Sequence, residues 1–209
     1  MTAYTYRATQ VEQYRRYMES EYISFDDMVA TLSGTVEENE AMRFGTNVHH
    51  AIDRMYHGKG NVLCDLLDTD SLQHNVDHIG KYAMTELMTT RQVAGNADSR
   101  IMLRGTADAV SGNKIIDFKT TQSSISERKI QGYQDSMQWK CYLWLFGAAT
   151  FEFVIQQWSE KGGIWAIVDE QIVRCDAYAG MERDVERMVL SLHGFATLHG
   201  LLQPKEMTV

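Results

Sequence analysis

The chain is 209 residues long and carries 20 Lys and Arg against 28 Asp and Glu, a formal net charge of −8. Its 44% hydrophobic and 23% charged residues are the composition of an ordinary globular protein, which excludes a disordered or fibrous chain, and no apolar run reaches the roughly 20 residues that span a bilayer. The acidic balance also speaks against nucleic acid, because phosphates are neutralised by Lys and Arg, unless the basic residues are concentrated in one region.

A chain of this length buries one full core, so a single domain over 1–209 is expected. The start, MTAYTYRATQVEQYRR, has no apolar h-region and places its arginines after its aromatics, so no signal peptide is expected and the cytoplasm is the default location. Cys64, Cys141 and Cys175 are scattered singly, which argues against a disulfide framework or a four-cysteine cluster and for buried thiols. The single proline, Pro204, and the lack of low-complexity stretches leave no interdomain linker or repeat to propose.

In chain order, Ser24 followed by Asp27 reads as a capping box ahead of a short helix, FDDMVATLSG, closed by Gly34. From Glu37 to His57 the apolar residues Ala41, Met42, Val48, Ile52, Met55 and Tyr56 recur at helical spacing, and Gly58 is a C-terminal stop. Asp70 or Ser71 can cap a third helix over about 71–85, which Gly80 weakens. Segments 86–94, 100–111 and 114–121, separated by GNADS and SGN, read as a three-stranded antiparallel meander. Residues 133–147 are apolar enough for one largely buried helix, and 151–158 and 162–173 form a hairpin around Gly-Gly. A final helix over about 178–201 carries the stripe Val185, Met188, Val189, Leu192 and Phe195, with Pro204 just beyond. Together these predict an α/β fold with a central mixed sheet flanked by helices and a catalytic core over about 37–175.

The stretch RGTADAVSGNKIIDFKTT, 104–121, carries the chemistry. Asp108 sits on one strand, and after the SGN turn the next strand puts Asp117 and Lys119 on one face, because residues two apart in a strand point the same way. Asp117 is flanked by Ile116 and Phe118, and a bare carboxylate beside apolar structure is costly unless a cation or hydrogen bonds compensate it. A hard divalent ion does so with oxygen ligands while keeping positions open, and it acidifies water; a neighbouring lysine positions the nucleophile or steadies negative charge. The same residues would also serve as an ordinary surface ion pair. His49 stands on the first long helix, one turn after Gly45, which lets substrate or backbone approach; an imidazole among carboxylates favours tolerance of Mn²⁺. Gln134, Gln138 and Tyr142, at i, i+4 and i+8, form one polar stripe, either turned to solvent or placed to bind phosphate oxygens and orient the lysine.

Four motifs in order resemble those of the PD-(D/E)XK nuclease superfamily, in its RecB-like and phage-exonuclease branch. They are Gly45-Thr46-Asn47-Val48-His49, Gly105-Thr106-Ala107-Asp108, Ile115-Ile116-Asp117-Phe118-Lys119-Thr120 and Gln138-Trp139-Lys140-Cys141-Tyr142. The resemblance runs from about residue 40 to 145, with Ala107 in place of the superfamily's proline. It implies a restriction-endonuclease-like core in which His49, Asp108, Asp117 and the main-chain carbonyl of Phe118 hold one or two Mg²⁺ or Mn²⁺ ions and Lys119 is the catalytic lysine. It further implies that Gln138 and Tyr142 order the site and contact DNA, and that Glu86 fills an acidic position at the start of the first strand of the meander; Gln134 joins them as a substrate-binding candidate through the polar stripe alone. An iron–sulfur cluster is not expected from three scattered cysteines. The expected activity is exonuclease action on double-stranded ends in phage or mobile-element recombination, in the host cytoplasm if phage-encoded, with a structure-specific or nicking endonuclease, or a catalytically silent binding module, as alternatives. Such exonucleases often form homo-oligomers and work with a single-strand annealing protein; no membrane association is expected.

His74 and His78 have zinc-binding spacing but lack the glutamate of HExxH; no third ligand accompanies His193 and His199; neither GxxxxGK[ST] nor GxSxG is present. Residues 91–140 hold eight basic and five acidic side chains, a net +3, which leaves −11 on the remainder. A basic track confined to the catalytic segment, and binding that weakens with salt, are therefore expected.

Overall fold

The computed structural model describes residues 2–19, 22–59, 66–96, 98–203 and the backbone of 205–206; Cys64 and Pro204 lie outside these. Two elements that the sequence pattern does not announce come first, β1 (Thr2–Arg7) and α1 (Ala8–Glu19). The capping box forms as expected: Ser24 and Asp27 exchange side-chain and backbone hydrogen bonds to start α2 (Phe25–Ser33), and Gly34 closes it at φ 70°. Asn39 caps α3 (Glu40–Tyr56) by accepting from the Met42 N–H at 2.9 Å. The next helix, α4 (Thr69–Ile79), is earlier and shorter than predicted: Asp68 is its N-cap, not Asp70 or Ser71, and Gly80 ends it before a strand begins.

The meander is present as β2 (Met84–Gly95), β3 (Ser99–Ser111) and β4 (Lys114–Thr121), paired antiparallel in that order. The single helix predicted over 133–147 is two helices, α5 (Glu127–Gln134) and α6 (Met137–Phe146). The break falls at Asp135-Ser136, because the Ser136 side chain accepts from the Gln138 N–H and starts a new helix. The Gly-Gly hairpin is β5 (Thr150–Lys161) with β6 (Ile164–Asp176), and the last helix, α7 (Met181–Leu198), buries Val185, Val189 and Leu192 from its predicted stripe. A short β7 (Lys205–Glu206) pairs with the start of β1.

These strands make one mixed sheet in the order β6-β5-β4-β3-β1-β7, with β2 on the remaining edge of β3; β1–β3 and β4–β5 are parallel. Helices lie on both faces. One core joins α1, α2, α6 and α7 to the sheet through residues such as Val11, Met28, Leu143 and Val189; the other packs α3 and α4 through Val48, Ile52, Leu72 and Ile79 against Ile116, Phe118, Val154 and Trp158. Cys141 and Cys175 are buried free thiols. Among the described residues no helix is long and apolar enough to cross a membrane.

Candidate active site

The site is a consequence of where β3 loses its neighbours. β2 occupies one edge of β3 along nearly its whole length. On the other edge β1 pairs with it as far as Arg104, and β4 pairs with it only from Ala109. Residues 105–108 face a gap, and the backbone groups there need other partners. The Thr106 carbonyl accepts the Tyr142 hydroxyl of α6 at 2.8 Å, and the Phe118 N–H of the diverging β4 donates to Asp108 Oδ2 at 2.8 Å. Gly105 lets α6 approach this closely, since a Cβ there would stand 2.9 Å from Leu145 Cδ1 and 3.3 Å from Tyr142 Cε1.

The gap draws charged groups from both sides of the sheet. His49 Nδ1, from α3, lies 3.3 Å from Asp108 Oδ1. From α6, Gln138 Nε2 donates to Asp117 Oδ1 at 3.2 Å, and Lys119 Nζ stands 2.6 Å from Asp117 Oδ2. Burial pushes the Asp117 carboxyl up to about 6, with Lys119 pulling down and Asp108 pushing up. Burial also opposes the charge on Asp108, but His49, Lys119 and the Phe118 N–H outweigh it and hold this carboxyl below its usual range. Burial would lower the pKa of His49, yet Asp108 raises it to about 9. The Lys119 ammonium likewise resists burial through Asp117 and Asp108 and is pushed up. Two carboxylates and two cations thus share one partly dry gap.

Asp108, Asp117, Lys119 and His49 are therefore brought together as the sequence predicts, with Phe118 between Asp117 and Lys119. Gly45 serves β4 rather than the imidazole, since a Cβ there would stand 3.0 Å from Thr120 Oγ1. Glu86 joins the group: with Asp108, His49 and Phe118 it lines a cavity of about 10 Å³, and partial burial together with Asp108 pushes its carboxyl up. It is the one non-glycine residue with positive φ among those described, at 50°, a conformation that costs free energy and tends to persist at functional sites. Gln138 reaches the site, while Tyr142 is 5% exposed and ties α6 to β3, so it orders the strands and cannot itself touch a large ligand. Gln134 is corrected: it ends α5, its side chain is exposed, and the helix break takes it off the stripe of Gln138 and Tyr142.

His74 and His78 do not converge, since His74 Nε2 faces Glu170 at 3.0 Å and His78 Nε2 faces Glu152 at 3.4 Å. The sequence pattern misses a groove of about 590 Å³ between α1 and α5 that reaches Gln138. Arg16, Arg128, Lys129 and Tyr133 line it, and no local signal marks Arg16 because topology alone places α1 beside α5.

Among the described residues no three His, Cys, Asp or Glu side chains are assembled as a metal cage; Asp108 and Asp117 are each engaged by a cation of the chain instead. The donor set nevertheless suits a hard cation. Asp117 Oδ2 is buried with the Lys119 ammonium 2.6 Å away as its counter-charge, and a hard cation would share the neutralisation of so costly a carboxylate.

No family model matches the sequence, and no curated protein matches it. Solved structures are similar to it in fold. An exonuclease candidate from Eubacterium rectale superposes with a TM-score of 0.50 at 11% identity, over 96% of this chain and 83% of that one. The alkaline exonuclease LHK-Exo from Laribacter hongkongensis gives 0.48 at 13% identity, over 93% and 89%, and a phage-related exonuclease from Haemophilus somnus gives 0.41 at 11%, over 82% and 93%. The central mixed sheet with helices on both faces is the fold shared with the Eubacterium rectale protein.

Proposed function

We propose that the chain is a divalent-metal-dependent nuclease of the PD-(D/E)XK type that hydrolyses DNA phosphodiester bonds, working from double-stranded ends. The observation that carries this reading is the convergence of Asp108, Asp117 and Lys119 in the gap between β3 and β4, where the buried Asp117 carboxylate needs positive charge beside it. Asp108, Asp117, the Phe118 carbonyl and His49 would hold Mg²⁺ or Mn²⁺. Such an ion supplies Lewis-acid charge where a phosphate reacts.

The remaining work falls to the chain. Lys119, 2.6 Å from Asp117 Oδ2, is placed to position the attacking oxygen or to steady the negative charge on the phosphate. Gln138 fixes the rotamer of Asp117, and Tyr142 sets the distance between α6 and the gap in β3. The groove between α1 and α5, with Arg16 and Arg128 on its walls, gives a strand a route to Gln138.

The test is to incubate the protein with end-labelled linear, nicked and closed circular DNA in Mg²⁺, Mn²⁺ or chelator. Degradation of linear DNA alone, abolished by chelator and lowered about 10²–10⁴-fold in Lys119→Ala, is the expected result. Cleavage of closed circles would select an endonuclease. If linear DNA survives every metal and Lys119→Ala behaves as the parent, the chain is a silent binding module and the enzyme reading fails.

A further inference from the structure

Half of the sheet is covered on one face only. Leu103 and Ala107 of β3 and Tyr6 of β1 point into the core with α1, α6 and α7, and Arg91 of β2 follows them to that side, its guanidinium 4.2 Å from the Trp144 ring of α6. The alternate residues of β1, β2 and β3 face the other way, where Thr106 is exposed and Met88 is 59% exposed.

On this open face Arg7 and Arg104 are directly registered partners of the parallel pair β1–β3, and Arg100 lies four residues before Arg104 on the same face. Arg7 and Arg104 also border one cleft of about 110 Å³. Among the described residues none of the three guanidiniums has a carboxylate within ion-pair distance, whereas Arg91, Arg174 and Arg187 each do. Like charges side by side in a sheet oppose folding, so the fold itself gains nothing from the pair. An anion laid across it would remove that cost and gain two fork-shaped donors. Direction is supplied by β3, because Asp108 follows Arg104 by four residues on the same face, about 13 Å further along the strand. That is a reach of a few phosphates along a nucleic-acid strand.

We infer that Arg7 and Arg104, with Arg100 behind them, form a phosphodiester-binding track on the open face of β1–β3 that grips the substrate strand outside the scissile bond. The inference rests on the nuclease reading and names where that substrate is held. Bidentate guanidiniums hold backbone phosphates regardless of base, so the track sets affinity and alignment rather than sequence preference.

The double variant Arg7→Gln/Arg104→Gln tests it against wild type. Binding of a fluorescein-labelled duplex is followed by anisotropy in chelator across a salt series, and turnover is followed in Mg²⁺. The expected result is binding weakened about tenfold or more, with the slope of log K against log salt reduced by about 1–2, since each lost phosphate contact removes close to one counterion. KM rises, kcat at saturating DNA is kept, and thermal stability is kept or improved. Arg7→Lys/Arg104→Lys, which retains the charge, restores most of the salt slope. If wild type cleaves and the Gln variant binds with unchanged affinity and slope, the track is wrong while the nuclease reading stands. If wild type neither cleaves nor binds DNA, the nuclease reading falls and takes the track with it.

Discussion

Asp108, Asp117 and Lys119 are legible from two-residue periodicity, because a strand leaves no freedom over which of its residues share a face. Their charge states are not legible, since these depend on what the fold buries beside them, and Arg7 and Arg104 meet only through strand register. His193 shows the same limit and yields a pH prediction. Its place on the last helix is plain from sequence, but not its partners: Nδ1 lies 2.9 Å from the Tyr6 hydroxyl, and the ring rests against Tyr4 and Tyr6. Burial lowers its pKa from 6.5, so folding disfavours the charged ring. A base with a depressed folded pKa contributes stability that is complete above its ordinary value and lost as pH falls below it. The melting temperature of wild type is therefore expected to drop more between pH 7.5 and 5.5 than that of His193→Gln, by about 2–4 °C for each kcal/mol involved. Equal slopes in calorimetry would show that His193 does not titrate on unfolding.

At the scale of elements, the amphipathic helices and the meander are readable, and α6 is the instructive failure. Eight of its ten residues are buried, so no polar face marks its limits, and the apolar run hides the boundary that Ser136 imposes. The consequence is chemical as well as geometric. Starting at Met137 places Gln138 on Asp117 and Tyr142 on the Thr106 carbonyl, and it strands Gln134 outside. Tyr142→Phe leaves that carbonyl unpaired in the gap and is expected to cost about 1–3 kcal/mol in denaturant unfolding. Gly105→Ala forces a methyl against Leu145 and Tyr142 and is expected to cost a similar amount, about 1–3 kcal/mol, by overpacking. On the proposed nuclease reading both variants should also lose activity beyond their loss of folded protein, because each moves α6 relative to Asp117. Full specific activity in either would mean that the gap tolerates a shifted α6.

Across the whole molecule, what stayed hidden is long-range. β1 lies parallel to β3 with Thr2 opposite Ser99, a pairing with no local signature. Charge behaves likewise: a net −8 says little when Arg91 and Lys114 are spent on Glu182 and Glu152 while Arg100 and Arg104 have no carboxylate partner among the described residues. The N-terminal unit also reaches α6 directly. Glu12 of α1 accepts the Met137 N–H at 2.7 Å, so a residue 125 positions away caps the first turn of α6. If β1 and α1 are integral to the fold that holds the site, removing that cap must be felt there. Glu12→Ala is expected to lose about 1 kcal/mol, the usual worth of a cap, while Glu12→Gln, which keeps an acceptor, loses less. Two of the four tryptophans, Trp139 and Trp144, lie on α6 and the others, Trp158 and Trp165, on β5 and β6, so fluorescence reports the packing of α6 together with those strands and circular dichroism the whole chain. In Glu12→Ala both signals should shift to the same lower midpoint. A fluorescence midpoint left at the wild-type value would make β1–α1 a separable appendage and would remove α1 from any part in the site.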